Sequence, residues 1–133
     1  MTTPDAKSYH ALIVEDNEDI AGIMRITLDH LGIASATART GPQALELLTQ
    51  QLPDILLLDI GLPGMSGWEV LEAIKARHPE ADFPVIVLTA FGDPANRLIG
   101  KFQGPVVHYF VKPFEPSAIV AKFESMLRLV QSK

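Results

Sequence analysis

Apolar residues in this chain come in short continuous runs, each followed by a stretch of helical period. The first run, Ala11-Leu12-Ile13-Val14, is apolar at every position, as in a strand buried on both faces, and stops at Glu15-Asp16-Asn17. Ile20, Ile23, Met24, Thr27, Leu28 and Leu31 then fall on one helical face, with Asp19, Arg25 and Asp29 away from it and Gly32 marking the end. Ile33 to Ala38 predicts a second strand. Gly41-Pro42 opens a helix with Leu45, Leu48 and Leu52 along one side, closed by Pro53.

Ile55 to Leu58 predicts a third strand, ending on Asp59. A loop rich in breakers, with Gly61, Pro63, Gly64 and Gly67, leads to a helix through Val70, Leu71 and Ile74 that stops before Pro79. Val85 to Thr89 predicts the fourth strand. Asp93 and Pro94 read as cap and first residue of a fourth helix, kept short by Gly100, Gly104 and Pro105. Val106 to Val111 gives the fifth strand, and Pro116 opens a last helix carrying Ile119, Phe123, Met126, Leu127 and Val130 on one face. Strands and helices in regular alternation, with strands apolar throughout, predict an α/β fold in which a parallel sheet is covered by helices on both faces. Ligands of such doubly wound sheets bind at the carboxyl ends of the strands.

Composition narrows this to one compact domain: 133 residues, 47% apolar, without repeats or low-complexity tracts. The net charge of -5 opposes direct attraction to nucleic acid or an anionic membrane, so a protein partner is expected. The chain has no cysteine, which excludes disulfides, thiolate catalysis and Cys-ligated zinc and fits the cytoplasm. Met1 to Ser8 is short and polar, expected as a disordered tail (1–8) and not a signal peptide. The apolar runs Ile55 to Leu58 and Val85 to Leu88 reach strand length, far below the roughly 18 residues of a membrane span, so a soluble protein is expected.

The strand ends carry the chemistry. Glu15 and Asp16 follow the first strand, Asp59 ends the third, Thr89 the fourth, and Lys112 follows the fifth. Each alone has an ordinary reading: helix-capping acids, a loop aspartate, a strand threonine, a solvated lysine. A parallel sheet, however, brings all of them to one edge. Converging carboxylates repel by a few kcal/mol per pair at an effective dielectric of about 20, and a hard divalent cation removes that conflict. Oxygen ligands without His or Cys suit Mg2+ or Mn2+. Asp59 then becomes a credible nucleophile toward a phosphoryl group, with Thr89 and Lys112 placed to contact its oxygens.

Val14-Glu15-Asp16, the run from Leu57 through Asp59 and Pro63 to Gly67, Leu88-Thr89-Ala90, and Val111-Lys112-Pro113-Phe114 together resemble the receiver domain of two-component response regulators. The resemblance spans about Ala11 to Leu129 and implies a receiver domain over residues 9–131. It implies a CheY-like, flavodoxin-like three-layer sandwich with strand order 2-1-3-4-5. It further implies that Asp59 is the phosphoacceptor and that Asp16, Asp59 and the Gly61 carbonyl bind Mg2+ (or Mn2+), with Glu15 acting through water. Thr89, Lys112 and the amides of Gly61 and Ala90 would contact the phosphoryl group, and the Lys112-Pro113 bond would be cis. Thr89 and Tyr109 would form the switch that remodels the face of the fourth helix, fifth strand and fifth helix. The implied donor is a sensor histidine kinase or a histidine phosphotransfer protein, the implied recipient a downstream protein partner. Such a domain is a signalling switch acting only on its own phosphorylation and dephosphorylation, not an enzyme with a separate substrate.

The chain also departs from the family's pattern. Gly61 and Phe91, two residues beyond Asp59 and Thr89, have opposed effects on water access, so an intermediate phosphoryl lifetime is expected. Gly104-Pro105-Val106-Val107-His108 replaces the family's usual Gly-Ala and acidic pair, which obscures the partner surface. Trp68 reads as half-buried packing, and His10, His30, His78 and His108 have no ligand spacing. A phosphatase of the haloacid dehalogenase type would need a second Asp two residues after its nucleophile, where this chain has Gly61. A constitutive scaffold is disfavoured by the intact acidic and basic set. A stand-alone regulator and a receiver within a longer regulator or hybrid kinase both fit.

Overall fold

The computed structural model describes residues 9–90, 106–112, 115, 117–118, 121–122 and 125, with only the backbone at 89–90, 106–109 and 111–112. Five strands form one parallel sheet: β1 (His10–Val14), β2 (Ala34–Ala38), β3 (Ile55–Asp59), β4 (Val85–Ala90) and β5 (Val106–Lys112). Their order in the sheet is β2-β1-β3-β4-β5. Among the described residues, α1 (Glu18–His30) connects β1 to β2, α2 (Gly41–Gln50) connects β2 to β3, and α3 (Gly67–Arg77) connects β3 to β4. The short helix expected from Asp93, the tail (1–8), and Phe91, Pro113 and Phe123 lie outside the described residues, while residues 117–118, 121–122 and 125 are helical.

Strand alternation sorts the core into two layers. Ala11, Ile13, Ile55, Leu57, Ile86 and Leu88 pack with Ala21, Met24 and Leu28 of α1. Leu12, Val14, Leu56, Leu58, Val85 and Val87 pack on the other face with α2 and α3, through Leu45, Leu48, Val70, Leu71 and Ile74. Helices on both faces make the sheet doubly wound, and the inner strands β1 and β3 are apolar from Ala11 to Val14 and from Ile55 to Leu58 because both faces are covered. The edge strand β2 carries Ser35 and Thr37 and is only partly buried.

Three packing expectations are corrected. Ile23 is 48% exposed, because α1 meets the sheet along Ala21, Met24 and Leu28. At about 100° per residue Ile23 stands about 160° round the helix from Ala21. Leu52 is 46% exposed, since α2 ends at Gln50 and Gln51 is already extended, so Leu52 leaves the helical period. Trp68 is buried rather than half-buried, within the α2 and α3 layer.

The helix starts are fixed by side chains. Asn17 caps α1, its Oδ1 accepting the Ile20 N–H at 3.1 Å, and Thr40 caps α2 by accepting from Gln43 N–H at 3.2 Å. Ser66 and Glu69 form a reciprocal capping box at α3. Ser66→Ala should lower stability by about 1 kcal/mol, read as a reduced urea midpoint at unchanged slope.

Candidate functional site

The register brings the strand ends together. Val14 pairs with Leu58, so Glu15 and Asp59 stand level one residue further on. Asp59 pairs with Leu88, Leu88 with Phe110, Thr89 with Val111 and Ala90 with Lys112. Glu15, Asp59, Thr89 and Lys112 therefore share the carboxyl edge of the sheet, on neighbouring strands β1, β3, β4 and β5. Tyr109 lies in β5, paired with Val87.

On β1, the Glu15 N–H donates to the Ala38 carbonyl at 3.0 Å, which extends the ladder with β2 by one residue and keeps Glu15 in the sheet. Its side chain is buried at 1% exposure, and Oε2 accepts the Asn17 N–H at 3.2 Å. Since Asn17 is the cap of α1, Asp16 is held in the turn between strand and helix, where it is exposed. On β3, alternation puts Asp59 in the row of Ile55 and Leu57, on the α1 side of the sheet, at 4% exposure. Its Oδ1 accepts the Gly61 N–H at 2.9 Å, and the Ile60 N–H donates to the Leu88 carbonyl at 2.9 Å. The chain is thus fixed over the two residues that follow the carboxylate.

Glu15, Asp16 and Asp59 each offer a carboxylate oxygen, and these atoms all lie within 4.8 Å of one another. Burying two of the three beside each other is unfavourable unless positive charge compensates them. The donor set is all oxygen, which fits a hard divalent cation such as Mg2+ and not a thiophilic metal. A polar cleft of about 510 Å³ continues from Glu15 past Glu18 and Asp19 to Arg25 and Arg39. At its surface Arg39 and Glu18 form an ion pair at 2.7 Å, both exposed, which bridges the end of β2 and the start of α1.

Two supports of the site carry no signal in residue type at the strand ends. Gly67 opens α3 so close to β3 that a Cβ there would lie 2.7 Å from the Asp59 carbonyl oxygen and 2.7 Å from Ile60 Cα. The Gly67 N–H donates to the Ile60 carbonyl at 3.1 Å, closing the loop in between. The Ser66-x-x-Glu69 capping box is a signal that the sequence reading passed over and that could have placed this helix start, as a serine followed three residues later by glutamate marks one.

The doubly wound parallel sheet with buried acids at its carboxyl edge is the arrangement that the receiver resemblance implied, and residues 11–124 match the response regulator receiver domain. The chain belongs to that family. It is 34% identical over 127 residues to the probable transcriptional regulator ycf27 of Cyanidium caldarium, covering 96% of this chain and 49% of that protein. It is 38% identical over 117 residues to the ycf27 protein of Guillardia theta, covering 88% and 44%. The chain therefore spans about half the length of these curated relatives. Among solved structures, a CheY-like response regulator receiver domain protein from Methanospirillum hungatei superposes with a TM-score of 0.82 at 30% identity, over 93% of this chain and 98% of that one. Among the described residues no helix is long and apolar enough to cross a membrane.

Proposed function

We propose that this receiver domain, over residues 9–131, accepts a phosphoryl group on Asp59 from a histidine kinase or histidine phosphotransfer protein and relays its state to a downstream protein. The observation that carries this reading is the buried Asp59, with ligand oxygens of Glu15 and Asp16 within 4.8 Å of its own. An Asp59 carboxylate oxygen attacks the phosphorus of a phosphohistidine. The bond from phosphorus to the imidazole nitrogen breaks, its electron pair leaves with the imidazole, and an acyl phosphate forms on Asp59.

Asp16 and Asp59, with the Gly61 carbonyl, would hold Mg2+, and Glu15 would assist through water; Mn2+ has the same ligand preference. The bound cation supplies charge neutralisation between the carboxylate and the incoming phosphoryl oxygens. Gly61 positions the nucleophile by donating a hydrogen bond from its N–H to Asp59 Oδ1. Thr89, Ala90 and Lys112 lie at the same sheet edge. Thr89, Lys112 and the amides of Gly61 and Ala90 are assigned to the phosphoryl oxygens, the Gly61 N–H exchanging its hydrogen bond to Asp59 Oδ1 for one to the phosphoryl group. Thr89 and Tyr109, on adjacent strands β4 and β5, are assigned the switch. The phosphoryl group can shift that switch only by the difference in its interaction with the two states. The domain is a switch without a separate substrate. The ycf27 proteins are named probable transcriptional regulators, so the signal is assigned to transcription in the cytoplasm. It would be delivered through a protein surface rather than by this acidic domain touching DNA.

Incubation with a small acyl phosphate donor tests the reading. A single alkali-labile phosphoryl adduct should form in Mg2+ and fail to form when a chelator removes the cation. Equal labelling with and without cation would refute the assignment of the acidic cluster.

A further inference from the structure

The loop between β3 and α3 carries Gly61, and it is fastened at three points. Its first residues are held by the Gly61 N–H bond to Asp59 Oδ1 at 2.9 Å. Its ends meet through the Gly67 N–H bond to the Ile60 carbonyl at 3.1 Å. The third fastening reaches across to another helix: Met65 lies against Gly41, the first residue of α2. A Cβ built on Gly41 would fall 2.8 Å from Met65 Sδ, 2.9 Å from its Cβ and 3.0 Å from its Cγ.

Gly41 is buried, and its backbone is not in the left-handed region, which among the described glycines only Gly32 and Gly64 occupy. What glycine supplies at 41 is therefore space and not backbone freedom. Rotating Met65 would clear its Sδ and Cγ from an added methyl, but its Cβ is fixed to the backbone of the loop. A side chain at 41 must then push the loop itself. Met65 in turn packs on the core layer of α2 and α3, so it is the loop's apolar link to α2.

We propose that Gly41 and Met65 form a positioning contact for the cation site. The start of α2 sets the height of the loop and so holds Gly61 over Asp59. This inference rests on the reading of the Asp59 pocket as a Mg2+ site. Neither residue touches the cation; both act through the loop. Groups that orient metal ligands from outside the ligand shell commonly change affinity about tenfold or more when altered.

Calorimetric titration of the whole chain with Mg2+ tests it. Gly41→Ala, which displaces the loop, and Met65→Ala, which releases it without strain at α2, should each weaken Mg2+ binding by about tenfold. Leu28→Ala, a cavity near the last turn of α1 and on the face of the sheet away from α2 and Met65, should lower the melting temperature yet leave Mg2+ affinity unchanged. Wild-type affinity in both Gly41→Ala and Met65→Ala overturns the proposal, as does an equal loss in Leu28→Ala. Mg2+ binding that survives Asp59→Asn overturns the reading beneath it and the proposal together.

Discussion

Asp59→Asn is expected to abolish phosphoryl acceptance while leaving the fold intact or strengthening it. The amide keeps an Oδ1 that can accept the Gly61 N–H, now made at 2.9 Å, so the turn after β3 should persist. It removes one of the carboxylates whose oxygens lie within 4.8 Å of one another, relieving a repulsion on the order of a few kcal/mol at an effective dielectric of about 20. Urea denaturation without divalent cation should show a midpoint equal to or above that of the wild type. Added Mg2+ should raise the wild-type midpoint, since a ligand bound only by the native state stabilises it, and should leave Asp59→Asn unmoved. A variant that still labels with an acyl phosphate donor, or that still gains stability from Mg2+, would contradict the role of Asp59.

Gly67→Ala should be the most damaging small substitution near the site. Its added Cβ would meet the Asp59 carbonyl oxygen and Ile60 Cα at 2.7 Å and Ile60 Cδ1 at 2.8 Å. The first two belong to the backbone of β3 and the residue after it, and the Ile60 N–H is itself bonded to Leu88 in β4. Neither can yield without opening the sheet. Because α3 must retreat, the substitution combines overpacking with loss of burial around Trp68, and about 2–3 kcal/mol of stability should go. Trp68, the chain's one tryptophan, makes the shift visible as a change in native-state fluorescence. An unchanged urea midpoint would mean that α3 does not depend on this close approach.

The strands were readable in the sequence because apolar runs covered on both faces leave little ambiguity of length. His10, Ala90 and Lys112 extend β1, β4 and β5 by one residue each, and β2 begins at Ala34 rather than Ile33. Glu15, Asp16 and Asp59 were legible as a cluster because parallel strands must bring their carboxyl ends together. What a linear pattern lacks is the rotation of a helix about its axis and the distance between elements. Ile23 and Met24 are both apolar, and the face α1 turns inward follows Ala21, where a small side chain meets the sheet. Trp68 is buried because Gly67 allows the first turn of α3 to close on Ile60. The meeting of Gly41 with Met65 joins residues that no spacing rule connects.

Chemical location of the phosphoryl group tests the central claim most directly. After reaction with an acyl phosphate donor in Mg2+, borohydride reduction converts a phosphorylated aspartate to homoserine, and peptide mass analysis then identifies its position. The modification should fall on Asp59 alone. Homoserine at Asp16, Asp54 or any other aspartate, with Asp59 unmodified, would contradict the account.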